Sequence, residues 1–470
     1  MIKIDKVFWV LTITTFLALL LPILVQDGMF LDGITYSAIS NNLSNGIGGF
    51  WSPHYTKTLA PHFHGHPPLV FGIQSLLFNL LGHGIYTERI YTFLSSIFTA
   101  FGIVSCWRLF VIDSSLKQFS WLPVLLWITI PLNFWAYQNN LLENTLGVFT
   151  IFSIYFISKS LIENKITWLV IGSLLIVLAF FSKGFVGLFP LAAPLLYLLV
   201  FKPKPFHYPI VYSMVIMLST LALFYATLTL FPESKENILS YLHIQVIPSL
   251  SNELEITEKH HLSIIIKLIL ELTIPIFFLL IVSIIKWRNN KHFKFYYMRH
   301  CIYFLLIGIS ASIPLIITLK QRSFYLVPSV PFYILSIGFL ITPFVKEKLD
   351  KLSKSTLKRI MSASLVSFLL VIAISIYNFG KFSRDEEKLK DVYTISSFIP
   401  KGTVISTTKN IWIDWSLQAS MSRIGYISLD CDNTHKYFLI DKTNIDSVTI
   451  GKYENMNLKL SKYMMLIRKN

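Results

Sequence analysis

The sequence is short of charge. Only 14% of its 470 residues are Asp, Glu, Lys or Arg, against about 25% in an ordinary soluble domain. That shortage argues against a soluble globule, and the apolar content excludes disorder. Acidic residues are the scarcer sign: 25 Asp plus Glu against 41 Lys plus Arg, a net charge of +16. The excess does not point to nucleic acid, because the basic residues lie between apolar runs and do not gather on one face. Cysteine is rare as well. Cys106, Cys301 and Cys431 are too few and too scattered for a disulfide framework. No internal repeat and no low-complexity run is visible.

What the chain does have is long apolar runs. Hydrophobic residues make up 54% of it, and its mean hydropathy is +0.60. A membrane span needs ~20 mostly apolar residues. Candidate runs are 7–25, 67–82, 90–112, 121–137, 145–161, 165–181, 185–201, 208–230, 263–285, 300–318, 325–343 and 359–378. The first is too long for most signal-peptide cores and no small-residue cleavage site follows it, so it reads as a retained first span. Lys3 and Lys6 mark a cytoplasmic N-terminus. Four basic loops should be cytoplasmic too: Lys159 with Lys165; Lys202 with Lys204; Lys286, Arg288, Lys291, Lys294 and Arg299; and Lys346, Lys348, Lys351, Lys354, Lys358 and Arg359. Twelve crossings would put every one of them outside. Eleven put them all inside.

The run that should not cross is 67–82, which is short, opens on Pro67-Pro68 and carries Gln74 and Asn79. It reads as a helix at the outer interface. The expected architecture is an all-α polytopic protein of the inner or plasma membrane. Residues 1–378 form about eleven transmembrane helices, with an outer loop at 26–66 and the interfacial helix at 67–82. Residues 379–470 form a small extracytoplasmic α/β domain, with a helix at 385–398 and strands at 403–407, 424–429, 436–440, 446–450 and 457–467.

Charged residues on the outer side are few, and an ionisable group near hydrocarbon is functional by default. Asp27 and Asp32 follow the first span. Glu88 and Arg89 adjoin at the mouth of another, and Glu143 sits in Tyr137-Gln-Asn-Asn-Leu-Leu-Glu-Asn144. Lys183 lies between two spans with almost no loop, while Lys320 and Arg322 go against the positive-inside trend. Such cations are either snorkelling side chains or partners for a phosphate at the outer leaflet. His54, His62, His64 and His66 enrich the first outer loop. The alternation of the last three suits a zinc site, though no cysteine accompanies it; His66, just before the double proline, suits a polar contact to phosphate or sugar.

Taken in order, Asp32-Gly-Ile-Thr-Tyr36, His66-Pro-Pro-Leu69, Glu88-Arg89, Glu143-Asn144, Lys183-Gly184 and Lys320-Gln-Arg-Ser-Phe-Tyr-Leu-Val-Pro328 resemble the pieces of family 39 glycosyltransferases of the GT-C fold. That family includes protein O-mannosyltransferases and lipid A aminoarabinose transferases. The resemblance runs over roughly residues 5–345. Where the family has Asp-Glu after the first span, this chain has Asp32-Gly33; where the aminoarabinose transferases carry Lys before Pro-Pro-Leu, it has His66.

The resemblance implies transfer of a sugar from a polyprenyl-phosphate sugar to a lipid, glycan or protein acceptor at the outer face, with inversion. Asp32 would be the base or orient the acceptor. Lys183, Lys320 and Arg322 would stabilise the leaving phosphate, with His66, Arg89, Glu143 and Tyr325 completing the site. No cofactor, resident metal or nucleic-acid partner is expected, although Asp32 and Glu143 leave a divalent metal open. The alternative is a lipid or saccharide transporter or flippase, for which a charge near the bilayer midplane, such as Glu271, would be the sign.

Overall fold

A computed structural model describes residues 3–288, 297–443 and 452–469. Lys291 and Lys294 of one basic loop, and the expected strand 446–450, lie outside the described residues.

The apolar runs are helices. They begin with α1 (Ile4–Leu24), followed by α2 (Leu31–Ser44), α3 (Leu69–Leu81) and α4 (Tyr86–Phe110). Eight helical stretches among the described residues are long and apolar enough to cross a membrane, or ten if each of two bent pairs is one span. The bends, of 76° and 61°, fall before Pro131 and just before Pro275, where a residue without an N–H interrupts the helical ladder.

One of the eight, Thr167–Phe201, is 35 residues long. Straight, it would span about 50 Å, far more than the ~30 Å hydrocarbon core. It is not straight. Gly184 ends the first helix at φ +81°, and Gly187 lies so close to its C-terminal end that a Cβ there would stand 2.6 Å from the carbonyl carbon of Ala179. The chain turns back there, so this stretch is not one straight span. By contrast, α3 has 13 residues, about 20 Å, and is too short to cross.

The chain divides into two compact units. One comprises residues 1–22, 93–138 and 142–377 and holds the long apolar helices; the other comprises 23–92, 139–141 and 378–470. The expected boundary at 379 therefore does not isolate the tail, which shares its unit with α2, α3 and the first outer loop.

Within that second unit the tail forms a five-stranded sheet of order β2-β1-β3-β5-β4, from β1 (Val404–Thr407), β2 (Ser428–Asp430), β3 (Tyr437–Asp441), β4 (Tyr453–Asn455) and β5 (Tyr463–Arg468). Strand β1 runs parallel to β2 and β3; β5 runs antiparallel to β3 and β4. The helices Glu386–Phe398 and Trp415–Gly425 cover it, burying Ile395, Leu417 and Met421 against Ile405, Leu429 and Leu439. The expected strand 424–429 was misplaced: Leu417, Met421 and Ile424 keep a helical spacing, and the chain leaves the helix at Tyr426 (φ 55°) to begin β2 at Ser428. The expected strand 457–467 begins only at Tyr463, where the buried Asp391 carboxylate accepts the N–H groups of Ser461, Lys462 and Tyr463 at 2.5, 2.7 and 3.0 Å.

Candidate functional site

In the helical unit, the reversal at Gly184 decides where Lys183 goes. A Cβ at position 184 would overlap the Tyr241 hydroxyl, so glycine turns the chain and leaves Lys183 at the end of its helix. Glu143 stands on the first turn of the helix Leu142–Glu163, where the helix N-terminus favours negative charge. The two side chains form an ion pair, with Lys183 10% and Glu143 1% exposed. Taking two charges out of water costs several kcal/mol per ion, so each depends on the other.

The Lys183 Nζ also stands 4.9 Å from the centre of the Tyr325 ring and 5.8 Å from that of Phe324, within cation–π range. Lys183, Glu143 and Tyr325 thus meet. Tyr325 lies on a short 3-10 turn, Ser323–Leu326. The loop before that turn is fastened by Gln321, which is fully buried. Its side chain accepts from the Ile264 N–H at 2.8 Å and donates to the His261 and Thr318 carbonyls at 2.7 and 2.9 Å.

The three cations expected to converge on one phosphate are held differently. Arg322 gives both its contacts, 2.8 and 3.0 Å, to Glu255 at the surface, because the N–H groups of Thr257 and Glu258 bond the Leu319 carbonyl and bring the 252–258 segment alongside. Lys320 precedes Gln321 and is partly exposed. Glu271, the midplane charge of the transporter reading, accepts the Leu132 N–H at 3.2 Å and so caps the helix beginning at Pro131.

The second unit contains Asp32, His66 and Arg89. Asp32 occupies the first turn of α2, half-exposed. One turn along, Tyr36 meets the His66 ring edge-on at 5.8 Å, so the Asp32 and Pro-Pro motifs share one side of this unit. The glycine at position 33 has a steric cause: a Cβ there would overlap the Asn139 carbonyl oxygen, leaving no room for a second carboxylate. Asn139 in turn accepts the Phe30 N–H at 2.8 Å, and Asn140 bonds Ser37 at 3.0 Å and Gln74 at 3.0 Å.

Glu88, beside Arg89 in sequence, pairs with a residue far along the chain. Its carboxylate takes both forks of Arg423, from the tail, at 3.1 and 2.9 Å, and both side chains are buried. Arg89 is buried too, and donates to the Gly28 carbonyl. Two of the outer-loop histidines are engaged in the loop itself: His62 with the Ser52 hydroxyl at 2.8 Å and His54 with the Pro61 carbonyl at 3.0 Å. Among the described residues no three of His, Cys, Asp and Glu form a group able to hold a metal ion. Arg423 itself escaped the sequence reading, since its partner lies 335 residues away and no local pattern marks it.

Residues 65–229 match the dolichyl-phosphate-mannose-protein mannosyltransferase family. No protein of curated function matches in sequence. Among solved structures, ArnT from Cupriavidus metallidurans in the apo state shares 14% identity at a TM-score of 0.66, over 97% of this chain and 95% of that one. The same protein bound to undecaprenyl phosphate gives 12% and 0.67, over 97% of both chains. The archaeal oligosaccharyltransferase AglB from Archaeoglobus fulgidus, in complex with an inhibitory peptide and a dolichol-phosphate, gives 11% and 0.50, over 92% of this chain and 69% of that one. The chain is thus a membrane protein of the GT-C glycosyltransferase fold, matched across residues 65–229 by the dolichyl-phosphate-mannose-protein mannosyltransferase family.

Proposed function

We propose that this glycosyltransferase moves a sugar from a polyprenyl-phosphate donor to a lipid, glycan or protein acceptor at the outer face of the membrane, inverting the anomeric carbon. The observation that carries the reading is the Lys183–Glu143–Tyr325 cluster. A buried ammonium at the end of an apolar helix, already paired with a carboxylate, is a cation that a lipid-borne phosphate can engage without leaving the membrane surface. The same fold in ArnT from Cupriavidus metallidurans has been solved with undecaprenyl phosphate, which supports a donor of that class.

In the reaction the acceptor oxygen attacks the anomeric carbon while the bond from that carbon to the phosphate oxygen breaks. The bonding pair leaves on the phosphate, where Lys183 offsets the growing charge. The acceptor proton passes to the Asp32 carboxylate. Sidedness follows from the basic loops: the N-terminus is cytoplasmic, and the tail and first outer loop are outside. Reporter fusions after residues 86 and 380 should both read as extracytoplasmic.

The direct test is transfer by the purified full-length protein in lipid nanodiscs. Label should pass to an acceptor extract from a polyprenyl-phosphate sugar and not from a nucleotide sugar. Transfer from the nucleotide sugar alone would overturn the donor class.

A further inference from the structure

The tail grips α2 at both ends. Before its N-terminus, the Asp27 N–H donates to the Lys381 carbonyl at 2.8 Å. The Ser383 hydroxyl donates to the Asp27 and Gly28 carbonyls at 2.8 and 3.0 Å, and the Tyr393 hydroxyl donates to Asp27 Oδ2 at 2.6 Å. Near its C-terminus, Asn41 Nδ2 donates to the Arg423 carbonyl at 3.3 Å and the Tyr426 hydroxyl at 3.0 Å. Asn42 Nδ2 reaches the Ser422 hydroxyl at 3.4 Å. The Arg423 guanidinium then fixes this second grip: it binds Glu88 bidentately, donates to the His83 and Gly84 carbonyls at 3.1 and 3.0 Å, and lies 4.7 Å from the Phe78 ring centre.

We propose that the C-terminal tail is a clamp that positions α2, and with it Asp32, and that Arg423 and Tyr393 are its two anchoring residues. The proposal rests on the reading of Asp32 as the base. A helix held at one end can tilt about that end, whereas one held at both cannot. A misplacement of about 1 Å at a reacting group costs roughly 10²-fold in rate, and reactive groups keep their geometry only when a supporting shell is itself locked. Both anchors are built to stay locked. The bidentate guanidinium–carboxylate pair fixes direction as well as distance. Burial, together with the hydrogen bond to the Asp27 carboxylate, pushes the Tyr393 hydroxyl well above its ordinary titration range, so it remains a donor at any physiological pH. Neither residue needs to touch substrate.

The test compares Arg423→Gln, Arg423→Lys, Glu88→Gln and Tyr393→Phe in the full-length protein. Two readings are taken: amide exchange of residues 31–44, with 142–163 as internal control, and steady-state transfer. Arg423→Gln and Glu88→Gln should each speed exchange in α2 by at least about tenfold over the control. Each should lower kcat by roughly 10- to 100-fold and leave donor KM within about twofold. Arg423→Lys, which keeps the charge and loses the fork, should recover part of both. In an Asp32→Asn background, Arg423→Gln should cost no more than about threefold further, since groups acting through one another are not additive.

Unchanged exchange in α2 overturns the clamp with no reference to activity. So does a full multiplicative loss in the Asp32→Asn background. If Arg423→Gln does not fold, Tyr393→Phe carries the test through one hydroxyl, and wild-type exchange and kcat there overturn the proposal. Wild-type turnover in Asp32→Asn alone overturns the reading of the base, and the α2 exchange result then still decides the clamp.

Discussion

Asp32→Asn should abolish most sugar transfer while leaving the protein folded and membrane-inserted. The substitution is nearly isosteric and half-exposed, on the first turn of α2. Removing a negative charge there costs only about 0.3–1 kcal/mol of interaction with the helix N-terminus, too little to unfold a helix with many other bonds. Ser37 and Ser40, for example, each return a hydroxyl to the carbonyl four residues back, at 2.8 and 2.7 Å. Loss of a general base costs ~10²–10⁴ in rate. Single-turnover transfer with saturating donor is the measurement that isolates this step, and activity within about threefold of the wild type would remove Asp32 from the mechanism. A neighbouring carboxylate cannot take over within the motif, because Gly33 faces the Asn139 carbonyl with no space for a side chain.

The second large effect is expected at Lys183, where stability and chemistry must be separated. Lys183→Met leaves the Glu143 carboxylate buried without its ammonium. Breaking a buried pair on one side typically destabilises by about 3–5 kcal/mol, so this variant should unfold at markedly lower temperature and transfer no sugar. That outcome alone would not distinguish a structural cation from a catalytic one. The double variant Lys183→Met with Glu143→Gln removes both charges, and should regain most of the lost thermal stability. If Lys183 meets the donor phosphate, the double variant still lacks a charge-assisted contact worth about 1.5–3 kcal/mol. Its donor kcat/KM should then stay roughly 10- to 100-fold below the wild type. Restored turnover in the double variant would make the pair purely structural. Arg322→Ala should do far less: its partner Glu255 is 63% exposed, and exposed pairs contribute about 0–1 kcal/mol.

Much of this molecule is legible in its sequence, for a physical reason. In hydrocarbon every backbone polar group must be satisfied within its own segment, so a run such as 208–230 has little choice but to be a helix, and its length measures the membrane. The short run at 67–82, with its opening prolines, announced the short helix α3. The order of the small motifs around Asp32, His66, Glu143, Lys183 and Tyr325 was enough to indicate a GT-C glycosyltransferase, although overall identity to the matched structures is only 12–14%.

Partnership was not legible. Composition places a charge near the membrane surface but does not say which opposite charge it meets. Glu88 stands next to Arg89 in sequence, yet adjacent positions on a helix point apart, and its carboxylate is taken by Arg423 of the tail. Arg322 reads in sequence as a phosphate ligand, and nothing local announces the Glu255 that the 252–258 segment brings beside it. The tail read as a separate domain because its composition changes at 379, while its bonds to Asp27, Asn41 and Asn42 make it part of the unit that carries Asp32. Local hydropathy fixes which segments are helices. Only the folded chain, by bringing together groups hundreds of residues apart, decides which charges are neutralised in pairs and which helix the tail holds in place.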